Sequence, residues 1–187
     1  MKALVVRQPW ASLIALGVKT IETRPSPPNG PMRPDGVRGL PGCRLERGER
    51  IAIVAGKDKA CITEIGPLPW APLTDGTGIG IHLRERLVLG AVVCTAVVDD
   101  VLPVFHVATV MSYDVPFPNF QVNGPDLLTY CGVGGEATDM RAQIPFGEFA
   151  PGRWGWMLTD VKPCAPVPVK GREGVFMLPD DVAEALS

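Results

Sequence analysis

Residues 2–24 read KALVVRQPWASLIALGVKTIETR and place a strand, a short helix and a second strand in immediate succession. Ala3 to Arg7 is apolar, rich in β-branched residues and poorly alternating, as a strand buried on both faces is. Pro9 suits the first helical position, where its missing N–H is no loss. Trp10, Leu13 and Ile14 fall at i, i+3 and i+4 as one apolar stripe, and Gly17 suits a left-handed stop. Val18 to Arg24 then sets Ile21 against polar Thr20 and Glu22, the period of a strand with one wet face, and Pro25 ends it.

Strand signals recur beyond this stretch, at wide intervals. Arg50 to Ala55 (RIAIVA) is a strand. Leu87 to Leu102 reads as a long strand or a bent strand pair in a barrel wall, with Gly90 at a bulge or bend. Arg153 to Asp160 (RWGWMLTD) is a strand, and Val175 to Leu178 is a short one before a C-terminal helix that starts near Asp180 or Asp181. Between them, residues 26–47 are Pro- and Gly-rich with no helical or strand period and read as a long loop or insertion. Gly56 to Arg86 has mixed signals, with a short helix near its end, and Phe105 to Ile144 reads as a second irregular insertion. The fold class expected is α+β and mostly β: a small barrel closed by distant strands, with a short early helix, a C-terminal helix and two long irregular insertions, all within one domain over 1–187.

Composition excludes several classes. The 187 residues are 46% hydrophobic and 20% charged, too apolar for a disordered chain, while 21 Gly and 20 Pro argue against a helical bundle. The run from Leu87 to Val98 is too short to cross a bilayer, and no h-region follows the first residues, so a soluble protein without membrane partners is expected. Cys43, Cys61, Cys94, Cys131 and Cys164 are odd in number and form no C-x-x-C pair, and only His82 and His106 are at hand to join them as ligands. We expect reduced thiols, a cytoplasmic location, and neither metal nor cofactor. The net charge of −2 conceals a basic amino-terminal third, where ten Lys or Arg up to Lys57 face Glu22, Asp35, Glu46 and Glu49. That asymmetry fits either a phosphate-binding face or a solvated Arg-rich loop, and a pI near 5.7 opposes broad binding to duplex DNA.

The densest cluster of functional residue types is Gln8-Pro9-Trp10 followed by Gly17-Val18-Lys19-Thr20-Ile21-Glu22-Thr23-Arg24. It resembles the signature of the ASCH family, a Q-P-W helix start and then G-x-K-x-x-E-x-R. Phe146-Gly147-Glu148-Phe149 with Gly152-Arg153-Trp154-Gly155-Trp156 is similar to the family's later G-R-aromatic-x-W strand, and Pro168 to Leu178 (PVKGREGVFML) resembles its usual ending. The resemblance implies a PUA-like barrel whose motifs meet in a polar cleft. The partner it implies is single-stranded RNA or a nucleotide or nucleoside ligand. Strand alternation places Glu22 and Arg24 on one face, with Lys19 at the helix exit. A Lys-Glu-Arg group holds an anion through Arg24, orients a base edge through Glu22 and offers a proton donor in Lys19, and Arg153 adds a second guanidinium.

Each residue also has a plainer reading. Lys19, Glu22 and Arg24 alone would be an exposed ion-pair ladder worth about 0–1 kcal/mol per pair. Trp10 either packs inward with Leu13 and Ile14 or stacks on a ligand. Trp154 and Trp156 share a strand face, where both pack or one stacks on a base. Gln8 either reads a base edge or caps the helix. Gly76-Thr77-Gly78-Ile79-Gly80 lacks a P-loop Lys and reads as a turn, and Ser12 and Ser112 have no nucleophile-elbow context.

Binding ranks first among functions. The alternatives are an amidohydrolase acting on acylated cytidine nucleosides, a ribonuclease, and a modified-base reader with an aromatic cage. Relatives of the first kind use a Lys, a Thr and a Glu. Lys19 matches the Lys, whereas Glu22 stands where the Thr aligns, and Thr20 and Thr23 flank it in the other register. If the chain is an enzyme, Lys19 and Glu22 are its candidate catalytic residues.

Overall fold

A computed structural model describes residues 1–25, 45–57, 87–108, 127–133, 136–139, 143, 146–150, 152–172 and 174–186. The first strand, β1 (Lys2–Val6), lies parallel to β3 (Glu49–Ala55), with Lys2 opposite Ile51 and Val6 opposite Ala55. Its other edge pairs with the antiparallel strand β8 (Val175–Met177). Leu4 and Val6 face one core and Ala3 faces another, which is why the sequence alternates poorly: both faces of the strand are covered.

The helix α1 (Trp10–Ala15) buries Ala11, Leu13 and Ile14. Pro9 is its N-cap rather than its first residue and follows a cis peptide bond after Gln8. Gln8 is fully buried and supplies the cap itself, its Oε1 accepting from Ser12 N (3.2 Å) and Ser12 Oγ (3.0 Å). Gly17, at φ +73°, ends the helix, and the N–H groups of both Val18 and Lys19 donate to the Leu13 carbonyl. The chain then enters β2 (Ile21–Arg24).

Two long strands carry the rest. The 18-residue β4 (Ala91–Ala108) starts directly after Gly90, whose φ of +65° makes the expected bend. It pairs antiparallel with β3 on one side and with the 15-residue β7 (Trp154–Pro168) on the other. The sheet order is β2-β7-β4-β3-β1-β8. Register shifts at Val92/Cys94, Thr95/Val97 and Val98/Asp100 against β7, and at Ile53/Val54 against β4, bend these strands and curl the sheet into a half-barrel. Arg50 steadies one bulge, donating to Thr95 Oγ1 (3.1 Å) and the Asp160 carbonyl (3.0 Å) and pairing with the Asp160 carboxylate.

The concave core gathers Leu4, Val6, Ile14, Ile51, Ile53, Trp156 and Leu158 under α1, and the opposite face packs Val54, Val92, Phe176 and Leu178 against α2 (Asp180–Glu184). The mostly-β class with a short early helix and a C-terminal helix is as expected.

Two readings need correction. Residues 105–144 are not wholly irregular: β4 runs on to Ala108 and pairs with β5 (Leu127–Val133), which pairs with β6 (Glu136–Asp139). Pairing to the end of β4 sets this backbone, and local periodicity carries no trace of it. The strand expected over Arg153–Asp160 continues to Pro168 through Pro163 and Pro166. Beyond Met157 the side of β7 away from β4 has no strand partner among the described residues, and an open edge tolerates proline. Most of the 26–47 loop, the short helix before Arg86 and the turn at Gly76–Gly80 lie outside the described residues. Among the described residues no helix is long and apolar enough to cross a membrane.

Candidate functional site, a polar cleft at the helix exit

Antiparallel pairing sets Glu22 opposite Trp156 and Arg24 opposite Trp154, so the start of β7 delivers Arg153 to the end of β2. The segment around Gly147 crosses the same corner. Together these elements enclose a cleft of about 380 Å³ whose lining includes Arg7, Trp10, Lys19, Glu22, Arg24 and Arg153.

Lys19 is 1% exposed, in contrast to a surface ladder. Its Nζ donates to the Ile21 carbonyl (2.5 Å) and the Phe146 carbonyl (2.7 Å) and lies 3.3 Å from Glu22 Oε2. An ammonium has three protons, and three oxygens receive them. The Trp10 ring centroid is 5.9 Å from the same nitrogen, within cation–π range. Burial pushes the Lys19 pKa below the usual lysine range; Glu22 opposes that shift and the Arg24 charge adds to it.

Glu22 joins both cations, since its Oε1 lies 3.1 Å from Arg24 Nε. That N–H is not aimed at the oxygen, so the contact is Coulombic and Nε remains a buried donor without an acceptor. Arg24 also donates through Nη2 to the Val5 carbonyl, which ties β2 to β1. Arg153 pairs with Glu148 (3.0 Å) and donates weakly to the Thr23 carbonyl (3.4 Å). Gly147 is where a side chain would intrude: a Cβ there would stand 3.0 Å from Thr23 Oγ1 and 3.3 Å from Lys19 Nζ.

Five of the seven residues singled out from sequence thus meet in one cleft: Trp10, Lys19, Glu22, Arg24 and Arg153. Gln8 and Trp154 are not among its lining residues. Besides capping α1, Gln8 donates from Nε2 to the Val88 carbonyl (2.8 Å), which uses its amide within the fold. Trp154 is half-buried against the concave core, beside fully enclosed Trp156.

Sequence reasoning missed Arg7 in the lining and the Phe146 carbonyl as an acceptor for Lys19. The first had no signal beyond charge. The second lay inside the noted Phe146-Gly147-Glu148 motif, but a backbone acceptor has no residue-type signature. Chemically, the cleft offers guanidinium groups to an anion, the partly exposed Trp10 ring to a planar base, and the remaining lone pairs of Glu22 to a donor edge.

No protein-family model and no curated protein matches the chain. Among solved structures it is similar to the ASCH protein of Zymomonas mobilis at 14% identity and a TM-score of 0.43, covering 99% of this chain and 92% of that one. A tyrosine-to-phenylalanine mutant of that protein gives the same identity and TM-score with 94% of its chain covered, and a serine-to-alanine mutant gives 0.41 with 92%. Likeness at that level transfers neither an activity nor a residue's role.

Proposed function

We propose that the chain binds single-stranded RNA or a nucleotide in the cleft between α1, β2 and the start of β7, in the cytoplasm and without a metal or other cofactor. The observation that carries this reading is the meeting of Arg7, Arg24 and Arg153 with the Trp10 ring around one cavity. Guanidinium groups take phosphate oxygens, and an indole face takes a base, the two elements of single-strand recognition. Lys19 and Glu22 act here as the internal strut that orients Arg24.

The test is fluorescence anisotropy with a labelled short RNA across a salt titration. Each phosphate neutralised contributes about −0.7 to the log–log slope for single strands, so a modest slope is expected, reduced by about one such step in Arg24→Ala. Equal affinity and slope for Arg24→Ala and wild type, with the fold intact by circular dichroism, would remove the phosphate role of Arg24.

One observation favours a second reading, hydrolysis of an acylated cytidine nucleoside. The Thr23 hydroxyl and Lys19 Nζ both border Gly147, so a hydroxyl and the amine share one corner of the cleft. Lys19 as a base would first have to release a proton and with it the charge that pairs with Glu22. Purified protein is expected to leave N4-acetylcytidine essentially intact, and robust turnover abolished by Thr23→Ala would reverse the ranking.

A further inference from the structure

Arg24 stands between two cavities. Besides the polar cleft it lines, with Arg7 and Val5, a larger one of about 600 Å³. Lys57 enters this second cavity from the end of β3, and Lys170 and Arg172 enter from the connection between β7 and β8. Its described lining thus holds five cationic side chains and no Asp or Glu, whereas the polar cleft contains Glu22 and Glu148. Among the described residues Lys57, Lys170 and Arg172 are exposed and have no ion-pair partner. These three like charges repel one another and leave one positive rim on a chain of net charge −2, a field that favours an anion.

The cavity is also kept clear by backbone. Gly56, Gly90, Gly171 and Gly174 line it. A Cβ at Gly171 would fall 2.7 Å from Val5 Cγ2, and one at Gly90 would fall 2.5 Å from Lys57 Cε. Side chains at Gly171 and Gly90 would press on Val5 and Lys57, two residues of the cavity wall.

We propose that this cavity is an oligophosphate subsite, which takes the terminal di- or triphosphate of a nucleotide or RNA whose base lies in the polar cleft across Arg24. The pairing of subsites rests on the binding function proposed above. A chain-internal phosphodiester brings one charge per phosphate in an extended line, whereas a terminal oligophosphate concentrates several charges in one place, as the five cations do. Lys57 and Lys170 act as point charges on it, and Arg172 as a bidentate clamp.

The experiment is isothermal titration of the full chain with inorganic tripolyphosphate, followed by RNAs of one sequence that carry either a 5′-hydroxyl or a 5′-triphosphate. Wild type is expected to bind tripolyphosphate, the Lys170→Ala/Arg172→Ala double variant to lose about tenfold or more, and Lys162→Ala, at an exposed residue outside the lining of both cavities, to bind as wild type does. The triphosphorylated RNA should bind about tenfold tighter than its hydroxyl counterpart, and the double variant should erase that difference. Tripolyphosphate binding that is absent from wild type, or unchanged in the double variant, overturns the subsite. Binding of tripolyphosphate through these residues with no binding of either RNA keeps the subsite and removes the cleft reading. RNA binding that is indifferent to its 5′ end does the reverse.

Discussion

Replacing Lys19 by methionine tests whether the buried ammonium is the strut of the cleft. Methionine refills the volume of the lysine methylenes, so the loss is electrostatic rather than a cavity. It leaves the Ile21 and Phe146 carbonyls without this donor, and Glu22 with Arg24 alone. Removing one partner of a buried pair costs about 3–5 kcal/mol, and a buried polar group left unsatisfied about 1–3 kcal/mol. Glu22 keeps Arg24, so the expected loss is about 4 kcal/mol, a large part of the roughly 5–15 kcal/mol that holds a domain folded. Urea unfolding followed by tryptophan fluorescence reads this as a midpoint lowered by more than about 1 M, at slopes of about 1–3 kcal/mol per M. The Lys19→Met/Glu22→Gln double variant should recover at least about 1 kcal/mol of coupling, because no carboxylate is then left half-paired. A single variant within about 0.5 kcal/mol of wild type would refute the strut.

Three further outcomes are expected. Lys19 has a folded-state pKa below its ordinary value of 10.5, so between those two values the unfolded chain holds the extra proton. The pH-dependent part of the Lys19 contribution is then fully present above 10.5 and lost as pH falls through the folded-state value, while the contacts of the ammonium persist below it; the wild-type minus Lys19→Met difference in unfolding free energy should rise with pH across that window, and a flat difference refutes it. Gly17 has open space where a Cβ would stand but a φ of +73°, so Gly17→Ala should cost about 1–2 kcal/mol of backbone strain, read as a melting-temperature drop, and an unchanged melting temperature would contradict the left-handed stop. Burial, with the neighbouring Cys164 thiol second, pushes the Cys94 thiol up to about 12, so native alkylation at about pH 8 should spare Cys94 in peptide mapping, and labelling as fast as in the urea-unfolded chain would contradict the enclosed position.

The opening strand, helix and strand were legible because local signals are dense there: Pro9 at the helix start, Gly17 at its stop, and a Trp10/Leu13/Ile14 stripe. The second half was less so. Three prolines disguised the length of β7, since tolerance of proline depends on which strand edge is open and not on composition. Strands β5 and β6 owe their backbone to the far end of β4. In the site, the motif spacing revealed that Lys19, Glu22 and Arg24 converge, while the burial of Lys19 was hidden because two of its three acceptors are backbone carbonyls, which every residue carries. Gln8 had two open readings, and only the position of the Val88 carbonyl, 80 residues away, decides between them.

The hydrogen bond from Lys19 to the Phe146 carbonyl spans 127 positions, and it gives the cleft a birth order. A ribosome adds about 5–20 residues per second, so Lys19 is made roughly 6–25 s before the oxygen that completes its shell. Throughout that interval β2 has no β7 to pair with, because its partners Trp154 to Met157 are also still to come. The nascent amino-terminal third therefore waits, apolar and basic, as an open template that a chaperone or a premature encounter with polyanions can occupy first. The enclosed cleft is accordingly a property of a chain extended at least as far as Arg153, and no amino-terminal fragment that stops short of Phe146 forms it.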